Sequence, residues 1–131
     1  TGNAVPGGDG FGPMATQVFI DQGERTVDEM IADIERGLYV ATFNYCRVLD
    51  PKSLAVTGLT RNGTFMIENG KISGAVNGLR FTQSFVDALG PERILGLGND
   101  ARWADSEFGP ALMHAPSMHL ASWHFTGGTD G

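Results

Sequence analysis

The clearest regular feature of the sequence is Thr57–Gln83, where short runs of strand-forming residues are separated by Asn-Gly pairs. Asn-Gly is the strongest short signal for a β-hairpin, because a type I′ turn needs positive φ at both central residues. Asn tolerates that conformation, and Gly has no Cβ to clash. The pattern therefore predicts a β-meander with strands at Thr64–Glu68 and Lys71–Val76. The predicted turns are Asn62-Gly63, Asn69-Gly70 and Asn77-Gly78.

A helical period of apolar residues precedes the meander. Thr26 is a good N-cap and Glu29 follows three residues later, which is the spacing of a capping box. We therefore predict one clear amphipathic helix over Thr26–Arg36, ended by Gly37 in the left-handed conformation. Its apolar stripe, at i, i+3, i+4 and i+7, comprises Val27, Met30, Ile31 and Ile34.

Strand patterns lie on both sides of this helix. Gln17–Ile20 is a short strand candidate, and Leu38–Leu49 has the alternation of a long strand. Both faces of the long strand are partly apolar, which predicts burial on both sides over part of its length. A type I turn is predicted at Asp50–Ser53, and Leu54–Leu59 leads back into the meander.

The rest of the chain is less regular. Ser84 is the predicted cap of a short second helix that runs through Leu89. Gly96–Pro110 has the composition of a loop, Met113–Phe125 that of one or two strands, and Thr126–Gly131 that of a flexible end. The predicted class is α+β, mostly antiparallel sheet, and 131 residues predict a single domain over 1–131.

Composition narrows the range of possible functions. Nine Lys and Arg stand against fifteen Asp and Glu, a balance that disfavours binding to nucleic-acid phosphates. The sequence has no apolar run long enough for a membrane span, so we expect no membrane partner. The single cysteine, Cys46, excludes an internal disulfide and fits a reducing compartment, so a cytoplasmic location is expected.

The residues alone supply no self-contained catalytic set. His114, His119 and His124 are five apart, so on one continuous strand only the first and last share a face, about 33 Å apart at roughly 3.3 Å per residue. A zinc site would therefore need a bend at Pro116 or ligands from elsewhere in the chain. Cys46 has no base in its local sequence and is predicted to be a buried thiol. The loop carboxylates Asp100, Asp105 and Glu107 lack EF-hand spacing and are predicted to be solvated.

Two arginines flank the meander. Arg61 and Arg80 could hold an anion, such as a peptide carboxylate, because guanidinium groups bind carboxylates through paired hydrogen bonds. The alternative is that both are surface residues beside turns.

The segment VTGLTRNGTFMIENGKISGAVNGLRFTQS, Val56–Ser84, resembles the C-terminal domain of the TldD/PmbA family, also called modulators of DNA gyrase. The family pattern has a Thr-Gly-x-Thr-Arg-Asp/Asn-Gly run, matched here from Thr57 to Gly63. RGLYVATFNYCRVLDP, the helix before it and the closing APSMHLASWHFTGG are also similar. The family's later Asn-x-x-Arg-Phe-x-x-Ser segment is matched by Asn77, Arg80, Phe81 and Ser84.

This resemblance implies a metal-dependent peptidase system that acts on peptides or unfolded segments. In the family's catalytic subunits a His-Glu-x-x-x-His helix supplies two zinc ligands and the general base, and a cysteine in the C-terminal domain can complete the site. This sequence contains no His-Glu-x-x-x-His, and no cysteine occurs in the aligned region Leu97–Leu112. No catalytic residue or metal ligand is therefore carried over, and zinc is expected only in a partner or an upstream domain.

The resemblance suits the C-terminal part of a longer chain of the non-catalytic PmbA/TldE type. Its expected role is to build a homodimer or heterodimer with a family subunit and to wall the cleft that holds a peptide. The residues expected to contact peptide or partner are Thr60, Arg61, Asn62 and Arg80. The alternative is a free-standing β-rich structural or interaction module without peptidase activity. The gyrase label implies nucleic acid, which the acidic charge does not support.

Overall fold

The structure is a computed structural model that describes residues 15, 17–104 and 113–128. Antiparallel strands dominate this part of the chain, with two short helices, so the α+β class is confirmed at that level. In chain order the elements are β1 (Val18–Phe19), α1 (Val27–Ala32), β2 (Arg36–Asp50), β3 (Ala55–Glu68), β4 (Lys71–Ala75), β5 (Leu79–Ser84), α2 (Phe85–Ala88), β6 (Ile94–Leu97), β7 (Arg102–Trp103), β8 (Met113–Ala115), β9 (Met118–Leu120) and β10 (Phe125–Gly128).

The central sheet is built around β3. Its strand order is β10-β5-β3-β2, and β4 also pairs with β3. The hairpin of β2 and β3 runs from Arg36 opposite Glu68 to Asp50 opposite Ala55. The turn between them, predicted from Asp50–Ser53, is present: the Asp50 carboxylate accepts hydrogen bonds from the amides of Lys52 and Ser53.

Only the middle Asn-Gly pair forms a hairpin turn. Asn69 and Gly70 have φ of 49° and 74° and join β3 to β4, as a type I′ turn requires. The predicted turn at Asn62-Gly63 is wrong, because both residues lie inside β3. The register with β2 shifts there, so this pair forms a β-bulge, which uses the same positive φ without reversing the chain.

The predicted turn at Asn77-Gly78 is also wrong. β4 and β5 do not pair with each other; both run antiparallel to β3, along the same edge of it. Phe65 lies opposite Ala75, and Leu59 lies opposite Arg80, so the register is nearly continuous. Residues 76–78 therefore interrupt one returning strand, and the predicted meander is a long hairpin with a broken third strand.

Helix α1 begins as predicted and ends early. The Thr26 hydroxyl accepts a hydrogen bond from the Glu29 amide and the Glu29 carboxylate accepts one from the Thr26 amide, so the capping box is confirmed. The helix stops at Asp33, its C-cap, and Gly37 lies in β2. Gly37 therefore does not end the helix, because it pairs with Ile67 as part of strand β2. Met30 and Ile31 are the buried residues of the stripe.

Strand β2 is longer than predicted. Two-sided partial burial is seen at Gly37–Val40, but Tyr45–Asp50 is exposed, including Cys46, which was predicted to be buried. This half of β2 is exposed because β2 is an edge strand of the sheet, and its outer edge has no partner among the described residues. A register shift between Asn44 and Arg47, with Tyr45 at φ 52°, also bends this half of the strand.

The late part of the chain is more structured than predicted. Ser84 caps α2 as expected. The predicted loop at Gly96–Pro110 contains the short strand Arg102–Trp103, which pairs with β8, while residues 105–110 lie outside the described ranges. The predicted flexible end is wrong up to Gly128, because Phe125–Gly128 pairs with β5. Backbone pairing along a sheet edge orders a segment whose own composition looks like a loop.

The core packs against one face of the central sheet. Phe81 is fully buried and Ile67 is 1% exposed. The rings of Phe43, Phe81 and Trp123 lie within 4.6–5.3 Å of one another, with Phe85 beside Trp123 at 5.7 Å. We call these four residues the aromatic cluster. No helix in the described part of the chain is long and apolar enough to cross a membrane.

Candidate functional site

Two interruptions of the sheet lie opposite each other. β3 pairs with β4 on one side of this region and with β5 on the other. If both pairings are continued toward each other, the bulge at Asn62-Gly63 lies opposite the break at 76–78. The amide of Val76 donates to the Thr64 carbonyl at 2.8 Å and closes one end of this interruption. We call the interruption, residues 61–63 facing 76–78, the notch.

Thr60 closes the other end of the notch from inside. Its side chain is 6% exposed, and its Oγ1 accepts a hydrogen bond from the Leu79 amide at 2.9 Å. The hydroxyl therefore replaces the backbone carbonyl as the partner at the point where β5 resumes. Of the four residues expected to contact a peptide or partner, Thr60 is the buried one, and its observed contact is within the sheet.

Arg61 is exposed and is held by a neutral group. Its Nη1 donates a hydrogen bond to Asn44 Oδ1 at 2.9 Å. The guanidinium has five N–H donors, so most of them remain for another ligand. An amide partner fixes the orientation of the side chain without cancelling its charge, as a carboxylate would.

Arg80 shares a face of the sheet with Arg61. Arg80 lies opposite Leu59, which is two residues before Arg61, and side chains two apart on a strand point the same way. Such diagonal neighbours have Cβ atoms roughly 7–8 Å apart. Both arginines are exposed.

A third arginine lies on the same face. Arg47 is opposite Thr57, which is two residues before Leu59. Simple alternation along β2 puts residues 44 and 47 on opposite faces, but the bulge between them restores Arg47 to the side of Asn44. We call Arg47, Arg61 and Arg80 the arginine face. Sequence reasoning missed Arg47 and Asn44, because nothing in the local pattern marks that bulge.

The arginine face carries no compensating carboxylate at its centre. Across β2, β3 and β5 its three middle rows hold only arginine, threonine, asparagine and leucine side chains. Within the described ranges the single salt bridge joins Arg25 and Asp33, neither of which belongs to these rows. Positive charge is therefore concentrated here on a chain of net charge −6.

The rows also present hydroxyl groups. Thr57 and Thr82 are directly opposite, and their Oγ1 atoms are 3.5 Å apart. Thr57 Oγ1 donates to the Phe81 carbonyl at 2.8 Å, so the pair is anchored to the backbone. The centre of this face is polar and half-exposed.

The sequence-predicted metal candidates do not converge. His114 lies on β8, His119 on β9, and His124 between β9 and β10, where its Nδ1 is 3.1 Å from the Thr82 carbonyl. Cys46 is exposed on β2. Across the described residues no group of three His, Cys, Asp or Glu side chains is placed to hold a metal ion.

The loop carboxylates have a structural role where they are described. Asp100 Oδ1 accepts from the Ser117 amide at 2.9 Å, and Oδ2 accepts from the Ser117 hydroxyl at 2.7 Å. Burial acts to raise the pKa of Asp100, but these two hydrogen bonds, with smaller contributions from its own backbone amide and the charge of Arg102, outweigh it and leave the pKa below its ordinary value. Asp105 and Glu107 lie outside the described residues.

The fold and the site thus define an antiparallel sheet domain with one packed face and one basic, half-exposed face. A family model described as the PmbA/TldA metallopeptidase C-terminal domain matches residues 1–127. The chain belongs to this family, and the resemblance to TldD/PmbA proteins is confirmed. The comparison with curated protein sequences gives no match.

Solved structures share the fold. TldE from Thermococcus kodakarensis matches with a TM-score of 0.66 at 18% identity over 83% of this chain. A protein designated a DNA gyrase modulator, from Bacteroides thetaiotaomicron, matches with 0.64 at 23% identity over 82%. Its counterpart from Thermotoga maritima matches with 0.62 at 19% identity over 82%. The chain spans 22–23% of the length of these proteins.

Proposed function

We propose that this chain is the C-terminal domain of a subunit in a TldD/PmbA-type peptide-processing metallopeptidase system. The observation that carries the proposal is the family match across residues 1–127. The subunit is of the non-catalytic PmbA/TldE type. In support, the sequence lacks a cysteine across Leu97–Leu112, and the described side chains assemble no metal-ligand set.

In this proposal the domain walls the cleft in which a partner's metal acts on a peptide. A β-rich domain can hold an extended peptide by adding it as a strand to a sheet edge. Strand β2 offers such an edge: it is 15 residues long, and none of the described strands pairs with its outer side. Main-chain hydrogen bonds at an edge suit a system that accepts many sequences.

Side-chain contacts with peptide or partner are proposed at a second place, around the notch, which lies on the other side of β3 from the β2 edge. Arg61, Asn62 and Arg80 are exposed and reach outward, while Thr60 fixes the point at which the returning strand resumes. A peptide over the notch would meet two guanidinium groups and the amide side chain of Asn62. The assembly expected is a homodimer or heterodimer of family subunits in the cytoplasm, with zinc supplied by the partner or by an upstream domain.

The test is co-purification of the full native polypeptide with a larger metal-binding family member. We expect a stable complex in which added peptide is cleaved, with cleavage abolished by a chelator. A polypeptide that remains monomeric and never associates with such a protein would contradict the proposal and favour a free-standing interaction module.

A further inference from the structure

The arginine face carries uncompensated positive charge that the packing of the sheet does not require. The side chains of Arg47 and Arg80 make no hydrogen bond or ion pair with a described residue, and the Arg61 side chain has only the neutral Asn44 amide. Solvated guanidinium groups gain nothing in stability from proximity, since like charges on one face repel. Three such groups without a carboxylate between them are suited to an anionic ligand.

We propose that the arginine face binds extended peptide segments rich in Asp and Glu, which makes acidic segments the preferred substrate class. This inference rests on the proposed peptide-processing function. Guanidinium groups pair with carboxylates through two parallel hydrogen bonds, which neutral side chains cannot match.

The spacing of the arginines fits an extended peptide. The diagonal between Arg61 and Arg80 is roughly 7–8 Å between Cβ atoms. Alternate residues of an extended peptide lie about 6.6 Å apart, at roughly 3.3 Å per residue. Carboxylates at alternate positions can therefore meet both arginines at once. Arg47, on β2, extends the positive surface by one strand spacing of roughly 4.8 Å beyond Arg61 on β3.

The anion is a peptide carboxylate in this proposal, not a nucleic-acid phosphate. Affinity for nucleic acid depends on many phosphate contacts along a continuous basic surface. Here the same face carries Asp50 and Glu68 at its two ends, opposite Ala55 and Arg36, and the chain has a net charge of −6. Three central arginines between acidic ends fit a short acidic segment.

The test measures fluorescence anisotropy of labelled peptides with the full native polypeptide. One peptide alternates Glu and Thr, its control has Gln for every Glu, and an oligothymidylate serves as the third probe. We expect the Glu peptide to bind about fivefold or more tightly than the Gln peptide, and to lose this advantage in about 1 M salt. The double variant Arg61→Gln/Arg80→Gln should lose most of this preference, since only Arg47 of the arginine face remains.

The matched control is Arg36→Gln, on the same strand as Arg47 but at the end beside Glu68. It should keep the preference for Glu. Equal binding of Glu and Gln peptides by the unaltered protein would overturn the acidic preference and leave the proposed function standing. Tighter binding of oligothymidylate would also overturn it. Binding of neither peptide would overturn this inference, and failure of complex formation as well would overturn the proposed function.

Discussion

The two faces of the central sheet are made by the same strands and differ in what their side chains do. On one face Gly58 leaves room for the Phe81 ring, which packs in the aromatic cluster and is fully buried. On the other face Leu59 is flanked by Arg61 and Arg80, which are exposed. Neighbouring residues of β3 therefore serve packing and, in our proposal, recognition.

Bulges decide which face of the sheet a residue joins. A strand alternates with a period of two, so one extra residue moves everything after it to the other side. The bulge in β2 brings Arg47 to the face of Asn44, and the bulge at Asn62-Gly63 opens the notch beside Arg61. Irregularities of the sheet assemble the candidate site, and regular pairing builds the core.

The largest expected loss of stability comes from removing a buried ring from the packed face of the sheet. Phe81→Ala should lower the free energy of unfolding by about 3–5 kcal/mol, because a fully buried ring leaves a cavity. Denaturant unfolding measures this. Phe19→Ala is the control: its ring is 63% exposed, and its loss should cost much less. Equal losses would contradict the assignment of Phe81 to the core.

The next largest change in stability distinguishes a glycine in the hairpin turn from a glycine within a strand. Gly70→Ala should cost about 1–2 kcal/mol, because Gly70 has φ of 74° and an added Cβ would lie 2.7 Å from the Ala32 carbonyl oxygen. Gly74→Ala, where nothing lies within 4 Å, should be neutral or stabilising by up to about 1 kcal/mol. Thermal unfolding of the two variants side by side checks this. A similar cost at both positions would show that the turn geometry is wrong.

A smaller effect concerns the link between Asp100 and Ser117. Asp100→Asn should cost about 1 kcal/mol at neutral pH, because a charge-assisted hydrogen bond is lost. The folded pKa of Asp100 is lowered, so its stabilisation is full above the ordinary carboxyl range and is lost as pH falls through the folded value. The difference between variant and unaltered protein should therefore shrink as the pH falls below the ordinary carboxyl range. Exposed Asp21→Asn is the control, and a difference that grows in acid would contradict the assignment.

The smallest effect on stability is expected from the arginine face. Arg61→Gln and Arg80→Gln should each change the free energy of unfolding by less than about 0.5 kcal/mol, because both side chains are exposed. Equilibrium unfolding in urea checks this. Losses of several kcal/mol would mean that these arginines hold the sheet together, which would remove the contrast between the faces.

Much of the fold was predictable from local chemistry. N-caps, the capping box and turn residues act over a few neighbours, so α1, its Thr26 cap, the Asp50–Ser53 turn and the Ser84 cap could be predicted from the sequence. The three Asn-Gly pairs show the limit. The dipeptide specifies positive φ, which suits a turn or a bulge equally, and strand pairing far along the chain decides between them.

Less of the candidate site could be predicted. Arg61 and Arg80 were predicted from their place beside the Asn-Gly pairs, and the structure puts them on one face. Arg47 and Asn44 were missed because their shared face depends on the β2 bulge, which the sequence does not mark. Thr60 was predicted as a contact residue, but its hydroxyl bonds the Leu79 amide within the sheet, a contact that only the tertiary pairing reveals.

The most direct measurement is peptide cleavage by the assembled complex that contains the native polypeptide. With Arg61→Gln/Arg80→Gln, we expect the complex to form with an unchanged melting temperature and to cleave an acidic peptide roughly fivefold more slowly at low substrate concentration. Arg36→Gln should cleave at the unaltered rate. Unchanged cleavage by the double variant, in an intact complex, would contradict the claim that this face of the sheet recognises the substrate.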